Sequence, residues 1–188
     1  MRAVGEPRRV SLPWSIDPCD FSAGDKLLLS GPVYAARDKT HRRLIRDVRD
    51  GSSPVELKGA TIFYAGPTPA PAGRAVGAVG PTTSKRMDAY TPFLLSQGVS
   101  AFIGKGTRSE QVRKALTEAR ALYLVAIGGT AAFLSTRIES QRVVAYEELG
   151  AEALWRMELR DFPVYVAIDC DGNDLLREAP AEWGKGRE

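Results

Sequence analysis

Short apolar runs alternate with helical segments in the second half of the chain, and this alternation limits the possible folds more than any other feature. Apolar runs at 99–103 and 122–127 are each followed by a glycine-containing turn, and then by a segment of helical character at 109–120 or 130–138. Ser109 has the side chain of a good N-cap for the first of these helices. Strands that alternate with helices in this way are typical of a parallel sheet.

The first half of the chain is less regular. Apolar runs at 26–30 and 60–65 indicate strands, and the first of them is expected to end in a turn at Gly31-Pro32. The segment 38–50 carries a single apolar stripe and predicts a helix. Because the early strands lack the regular helices of the second half, the predicted fold class is α/β, with a mixed, partly parallel sheet and a second β layer.

Composition indicates one ordinary domain. Hydrophobic residues make up 44% of the 188 residues and charged residues 26%, which excludes a disordered chain. We expect a single domain over 1–188, with an extended polar segment at 1–24 and a flexible tail at 177–188. The net charge of +3 is spread along the chain, so strong nucleic-acid binding is not expected. No signal peptide or membrane-length apolar stretch is visible, which predicts a cytoplasmic protein.

Residues that could bind a metal are scarce. The chain has one histidine, His41, and two cysteines, Cys19 and Cys170. A zinc or iron–sulfur site normally takes several such ligands from its chain, so no metal site is predicted here. The cysteines lack a C-x-x-C spacing, and in a cytosolic protein they are interpreted as two free thiols.

Several loops that follow predicted strands contain glycine together with hydroxyl or cationic side chains. The stretch 66–81 is rich in glycine and proline, and we interpret it as an ordered functional loop rather than a linker. Ligands of open α/β sheets bind beyond the carboxyl ends of the strands, where helix N-termini favour anions. The candidate ligand-binding residues in these loops are the cations Arg37, Arg86 and Lys105 and the hydroxyls of Thr82 and Thr83.

The chemistry of this set favours a small di-acid. Guanidinium groups bind carboxylates through two parallel hydrogen bonds, and a lysine adds a point charge. No segment fits the phosphate-binding patterns G-x-x-x-x-G-K-[ST] or G-x-G-x-x-G, so nucleotide binding is disfavoured. The alternative for each cation is an ordinary solvated surface side chain. From the residues alone, the prediction is an anion-binding α/β domain.

Long stretches of the same residues resemble the β subunit, or the C-terminal domain, of iron–sulfur class I fumarate hydratases and L(+)-tartrate dehydratases. SGPVYAARDKTHRRL is similar to the family block SG-x-[VI]-Y-x-[AG]RD-x-AH-x-R, and GPTTSKRMD followed by GKG is similar to its central signature. The resemblance covers about residues 25 to 176. Thr40 and Lys85 depart from the family pattern, which usually has alanine and a small residue there.

The resemblance implies a three-layer β/β/α swivelling domain and a hydro-lyase that hydrates fumarate to L-malate. It also implies a [4Fe–4S] cluster held by a cluster-bearing α subunit and not by this chain, in an α2β2 heterotetramer. The isolated chain would then be inactive. The small number of cysteines agrees with that division.

Roles carried over from the resemblance fall on residues of the same loops. Thr82 matches the proton-abstracting residue, and Lys105 a carboxylate contact or alkoxide stabiliser. Arg37 and Arg86 match the arginines that bind the substrate carboxylates. The remaining candidates are supporting or weaker binding residues: Thr83, Asp38 and His41, the last of which is interpreted as structural rather than catalytic.

Two alternatives remain open at this point. One is the same chemistry on L(+)-tartrate, which yields oxaloacetate. The other is a stand-alone anion-binding module, against which the joint presence of Arg37, Thr82, Arg86 and Lys105 argues.

Overall fold

The computed structural model describes residues 6–184, and it contains a sheet, five α-helices and three short 3₁₀ helices. The strands are β1 (Arg8–Ser11), β2 (Lys26–Ala35), β3 (Thr61–Phe63), β4 (Ala101–Gly104), β5 (Leu122–Val125), β6 (Ile138–Ala145) and β7 (Leu154–Ile168). The α-helices are α1 (Asp38–Arg49), α2 (Thr91–Ser96), α3 (Glu110–Ala119), α4 (Ala131–Ser135) and α5 (Leu175–Gly184). The 3₁₀ helices cover Pro18–Asp20, Ser84–Met87 and Glu147–Glu152.

The sheet is mixed, which confirms the predicted α/β class with a partly parallel sheet. Its strand order is β1-β2-β3-β4-β5-β7-β6, and β1 to β5 pair with their neighbours in parallel. The long strand β7 is antiparallel to β5 and β6, and it also pairs with β2. The strands β2, β3, β4, β5 and β7 therefore close into a ring. The carboxyl ends of β2 to β5 lie together at one end of that ring.

Two buried hydrophobic clusters lie on opposite faces of the parallel strands. In β4, Ala101 and Ile103 belong to the cluster that includes the side chains of β2 and β7, whereas Phe102 belongs to the other. The second cluster contains Leu44 of α1 and Leu116 of α3. Since successive side chains of a strand point to opposite faces, one core fills the ring and the other attaches the helices.

The prediction that β2 ends in a turn at Gly31-Pro32 is wrong, because the strand continues to Ala35. The pairing with β7 shifts register between Leu29 and Gly31, where β7 carries one extra residue in a bulge opposite β2. Gly31 has φ +118°, and a Cβ there would overlap the carbonyl oxygen of Leu12. A glycine that marks a bulge and a glycine that marks a turn carry the same sequence signal.

The helix predicted over 130–138 is also too long. Helix α4 ends at Ser135, and β6 begins at Ile138. The last strand, β7, runs without a break from Leu154 to Ile168.

The interpretation of Cys19 and Cys170 as free thiols is wrong, since the two residues form a disulfide with a Cα–Cα distance of 5.3 Å. Backbone hydrogen bonds bring them together, because Gly24 donates to Val166 at 2.8 Å and Val166 donates to Asp25 at 2.9 Å. These bonds hold the N-terminal segment along the end of β7. The sequence separation of 151 residues leaves no local spacing from which the pairing could be predicted.

The two chain ends lie partly outside the described residues. The segment predicted as extended over 1–24 contains β1 and the 3₁₀ helix Pro18–Asp20, and residues 1–5 of it are not described. In the tail predicted as flexible over 177–188, helix α5 continues to Gly184, and residues 185–188 are not described. Over residues 6–184, none of the helices combines the length and the hydropathy needed to cross a membrane.

Candidate active site

The loops that carry the predicted ligand-binding residues meet at the carboxyl ends of β2 to β5. Arg37 follows β2 directly, and Lys105 follows β4. The Thr82 amide donates to the carbonyl of Tyr64, just beyond β3, at 2.7 Å. The turn after β5 lies beside Lys105, since a Cβ on Gly128 would lie 3.5 Å from the Lys105 Cδ. The structure thus brings together residues that are up to 68 positions apart in the sequence, from 37 to 105.

Thr82 and Thr83 extend the sheet between the ends of β3 and β4. The Lys105 amide donates to the Thr82 carbonyl at 3.3 Å, and the Ser84 amide donates to the Lys105 carbonyl at 3.0 Å. Thr83 forms an isolated parallel bridge with Lys105, and its side chain is exposed. A helix begins only at Ser84, as a 3₁₀ turn. The hydroxyl of Thr82 is therefore carried by backbone that the sheet holds in place.

Arg86, Thr82 and Asp38 form a half-exposed polar cluster. The Arg86 Nη2 donates to the Thr82 Oγ1 at 2.8 Å, and the same nitrogen lies 3.2 Å from the Asp38 carboxylate. The Arg86 side chain is 47% exposed, so the guanidinium retains donors that a ligand can reach. A cation that donates to the threonine oxygen also stabilises negative charge there.

Arg37 and Lys105 border this cluster, and neither forms an ion pair within residues 6–184. The Nε of Arg37 is buried and has no hydrogen-bond partner in that range. A Cβ on Gly66 would lie 2.8 Å from the Arg37 Cδ, so glycine there lets the arginine lie along the end of β3. Lys105 is exposed. Both cations are available to an anionic ligand.

His41 is buried beneath Arg37. Its Nδ1 lies 2.7 Å from the Arg37 carbonyl, which can only accept, so we assign the proton to Nδ1. The ring packs against Tyr64 and Tyr90, with centroid distances of 5.4 and 5.7 Å. Burial lowers the pKa of His41 to about 4, although the hydrogen bond to the Arg37 carbonyl opposes that change. His41 is therefore neutral near pH 7 and holds the backbone of Arg37.

A buried polar network lies behind the site, and sequence reasoning missed it. The Nε of Arg108 donates to Asp88 at 2.7 Å, its Nη1 donates to the Tyr64 hydroxyl at 3.2 Å, and its Nη2 donates to Thr91 at 2.6 Å. Asp88 also accepts from the Ser109 amide at 2.8 Å. The only available signal was the position of Arg108 between the Gly-Lys-Gly turn and the N-cap of α3.

The donors required by a metal or an iron–sulfur cluster are not assembled in the part of the chain that the structure describes. In residues 6–184, no three His, Cys, Asp or Glu side chains are grouped so that they could hold a metal ion. Both cysteines are joined in the disulfide, and His41 is engaged with the Arg37 carbonyl. These residues do not fit the ligand set of a [4Fe–4S] cluster, which is built mainly from cysteine thiolates.

The chain is similar to known proteins over most of its length. The family model described as Fumarase C-terminus matches residues 15–179. The aerobic class I fumarate hydratase of Escherichia coli K12 is 40% identical over 161 residues, which are 84% of this chain and 29% of that protein. Fumarate hydratase 2 of Leishmania major is 39% identical over 86% of this chain and 29% of that protein. The chain thus spans less than a third of the length of these two relatives.

A third relative is similar to the chain over most of its own length. The L(+)-tartrate dehydratase subunit beta of Escherichia coli K12 is 35% identical over 174 residues, which are 90% of this chain and 86% of that subunit.

Proposed function

We propose, on the premise that this chain belongs to the Fumarase C-terminus family, that it supplies carboxylate-binding and proton-transfer residues to a hydro-lyase. The proposed reaction is the reversible hydration of fumarate to L-malate. The observation that carries the proposal is the contact of Arg86 with both Thr82 and Asp38, between the cations Arg37 and Lys105.

Substrate binding is assigned to the cations at the carboxyl ends of the strands. Fumarate and malate carry two carboxylates, and a guanidinium binds a carboxylate through two parallel hydrogen bonds. We place these contacts at Arg37 and Arg86, with Lys105 as a further point charge and Thr83 as an exposed hydroxyl at the edge. The exposure of Arg86 and Lys105 lets a di-acid reach them without rearrangement of the core.

Proton transfer is assigned to Thr82. In malate dehydration, the Thr82 alkoxide takes a proton from the carbon next to a carboxylate, the electron pair of that C–H bond forms the carbon–carbon double bond, and the neighbouring carbon releases its hydroxyl group as hydroxide. The hydroxide gains a proton from solvent and becomes water, and Thr82 returns its proton to solvent, which restores the alkoxide. A free threonine is a poor base, so the alkoxide needs stabilisation by positive charge. The hydrogen bond from Arg86 to the Thr82 Oγ1 supplies it on this chain.

Asp38 and His41 are assigned as supporting residues. Asp38 pairs with Arg86 and so orients the guanidinium towards Thr82. His41 holds the Arg37 carbonyl from within the core. Neither is assigned a proton-transfer step.

The rest of the active site is assigned to a cluster-bearing α subunit in an α2β2 heterotetramer. The resemblance calls for a [4Fe–4S] cluster, and the described residues of this chain do not form its ligand set. Two of the large apolar side chains that the structure leaves exposed, Ile127 and Phe133, flank the turn after β5 and are 59% and 50% exposed. Exposed apolar residues beside an open site suit contact with a partner. We therefore place the partner at this edge.

The fold is proposed to be the three-layer β/β/α swivelling domain that the resemblance implies. The two hydrophobic clusters support this proposal, since one lies within the closed ring and the other lies under α1 and α3.

Dehydration of L(+)-tartrate to oxaloacetate is the second candidate. It is favoured by the tartrate dehydratase β subunit, which the chain matches over 86% of that subunit's length. Fumarate is favoured by the higher identity, 40%, of the fumarate hydratase.

The deciding experiment isolates the tagged chain with its bound partner from the source cell under anaerobic conditions. The complex is then assayed side by side with fumarate, L-malate and L(+)-tartrate. We expect turnover of the fumarate and malate pair by the complex and none by the isolated chain. Activity of the isolated chain would overturn the shared site, and preference for tartrate would select the second candidate. Binding of a di-acid without turnover in any preparation would identify an anion-binding module.

A further inference from the structure

We infer that Ser84 and Tyr123, to which no function has been assigned above, are positioning residues for Lys105. They act through a hydrogen-bonded chain that begins and ends on the Gly-Lys-Gly turn, which covers residues 104–106. The inference rests on the proposed function only where it concerns the binding of substrate by Lys105. The chain of hydrogen bonds itself is a property of the fold.

Three hydrogen bonds form this chain. The Lys105 amide donates to the Ser84 Oγ at 3.1 Å. The Tyr123 hydroxyl donates to the same Ser84 Oγ at 2.8 Å and to the Gly106 carbonyl at 2.8 Å, so its one proton is shared between these two acceptors. Ser84 and Tyr123 together therefore link the Lys105 amide to the Gly106 carbonyl.

This arrangement fixes the backbone on both sides of the Lys105 side chain. The amide before it and the carbonyl after it are bound to the same two hydroxyls. The Lys105 carbonyl in addition accepts from the Ser84 amide at 3.0 Å. The lysine side chain projects from this turn as an exposed group on fixed backbone. A long flexible side chain is positioned more precisely when its backbone is fixed.

The two hydroxyls are held by the core. Ser84 and Tyr123 are both fully buried, and Tyr123 belongs to β5 within the second hydrophobic cluster. Burial raises the pKa of the Tyr123 hydroxyl, which stays protonated and able to donate. A Cβ on Gly104 would overlap the Ser84 Oγ, so glycine at that position leaves room for the serine hydroxyl to pack against β4. Neither hydroxyl is exposed to a ligand, so each can act on the reaction only by positioning Lys105 and not by direct contact.

The test compares Tyr123→Phe with a matched control, Tyr64→Phe. Tyr64 is also a fully buried tyrosine on a neighbouring part of the sheet, and its hydroxyl forms hydrogen bonds to Thr91 and Arg108 rather than to the Gly-Lys-Gly turn. Each variant loses one buried hydroxyl and two hydrogen bonds. Any difference between the two variants therefore reflects the different groups that the two hydroxyls bind.

The first measurement needs no partner. Amide hydrogen exchange of the isolated full chain, followed by NMR, should be faster at Lys105 and Ser84, whose amides bind the Ser84 hydroxyl and the Lys105 carbonyl, in Tyr123→Phe and unchanged there in Tyr64→Phe. Ser84→Ala should affect the same two amides. Equal protection of this turn in Tyr123→Phe and Tyr64→Phe would overturn the inference, whatever reaction the protein catalyses.

The second measurement uses the complex with the cluster-bearing partner. A displacement of a catalytic group by about 1 Å costs on the order of 100-fold in rate, so we expect kcat/KM of Tyr123→Phe to fall about 10- to 100-fold. Tyr64→Phe should stay within about threefold of the wild type. Because Ser84 and Tyr123 act in one chain, the double variant should lose no more than the worse single variant. Fully additive losses, or equal losses in Tyr123→Phe and Tyr64→Phe, would contradict the positioning role.

The two measurements separate this inference from the proposed function. If the wild-type complex turns over none of the three di-acids, the proposed function fails, while the exchange data still decide whether the chain of hydrogen bonds holds the turn. If turnover is observed and the exchange data do not differ, only the inference fails.

Discussion

Two arginines of this molecule have nearly the same partners and opposite surroundings. Arg86 contacts the Asp38 carboxylate at 3.2 Å and the Thr82 hydroxyl at 2.8 Å. Arg108 contacts a carboxylate at 2.7 Å and the Thr91 hydroxyl at 2.6 Å. The Arg86 side chain is 47% exposed, whereas the Arg108 side chain is 0% exposed.

We propose that burial, and not the partner set, makes Arg86 a ligand-binding arginine and Arg108 a structural one. All the donors of a buried guanidinium must be satisfied by the protein, because no water reaches them. Arg108 meets this demand with Asp88, Tyr64 and Thr91. Arg86 keeps part of its donor capacity for whatever enters the site. Removal of each arginine should therefore affect a different property of the protein.

The largest expected effect is on stability, from Arg108→Met. Breaking a buried ion pair leaves the partner charge uncompensated, so the free energy of unfolding should fall by about 3–5 kcal/mol. Urea unfolding of the isolated chain measures it, with Arg86→Met as the exposed counterpart, for which a change within about 0.5 kcal/mol is expected. Equal losses in the two variants would remove the distinction.

Arg86→Met should instead affect catalysis. Truncation of one member of a charge pair with a bound di-acid costs about 2–5 kcal/mol, or roughly 30- to 5,000-fold in kcat/KM of the complex. The control is Arg160→Met, another exposed arginine with a carboxylate partner, Glu139 at 3.1 Å. Wild-type kinetics for Arg86→Met would refute the assignment of Arg86 to substrate binding.

His41, which is buried, should also make the free energy of unfolding sensitive to acid. Burial lowers the pKa of His41 to about 4 from its usual value of 6.5, so between these values the unfolded chain binds a proton that the folded protein does not. The stability that His41 contributes is present above pH 6.5 and is lost as the pH falls towards 4, by on the order of 3 kcal/mol in total. Unfolding by urea between pH 4 and 7 measures the slope. His41→Gln should flatten it, and an unchanged slope would show that other groups cause the dependence.

The smallest effect is expected for Asp38→Asn. The Asp38 side chain is 33% exposed and its partner is 47% exposed, and such pairs contribute at most about 1 kcal/mol to stability. Asp88→Asn is the matched variant at the buried pair and should cost several times more. Thermal unfolding of the two variants side by side measures this difference. Equal losses of stability would contradict the distinction between the exposed and the buried ion pair.

Local patterns were sufficient to predict much of the fold. The N-cap Ser109 accepts from the Val112 amide as the sequence indicated, and α1 and α3 fall within one or two residues of their predicted bounds. The errors fall where distant contacts decide the local structure. Gly31 lies within β2 rather than in a turn because a bulge of β7 and the carbonyl of Leu12 lie beside it. Strand β7 is long because β2 pairs with it from Trp155 to Tyr165.

The candidate site divides in the same way. Its exposed cations could be predicted, because charged residues in glycine-containing loops after strands suggest a ligand and the resemblance supplied their roles. Arg108, Ser84 and Tyr123 could not, since a buried polar side chain looks like any other arginine, serine or tyrosine in the sequence. Only the three-dimensional arrangement shows that the hydrogen bonds of Ser84 and Tyr123 converge on the turn of Lys105, whereas those of Arg108 hold the core.

The disulfide between Cys19 and Cys170 makes most of the polypeptide a covalent circle. A protease that cuts once within the exposed part of the loop at 68–75 would sever the backbone but release no fragment, because both pieces stay linked through sulfur. On a denaturing gel the nicked protein would migrate as one species until a reductant is added. The covalent connection between the two ends of the fold therefore remains after a break in that loop.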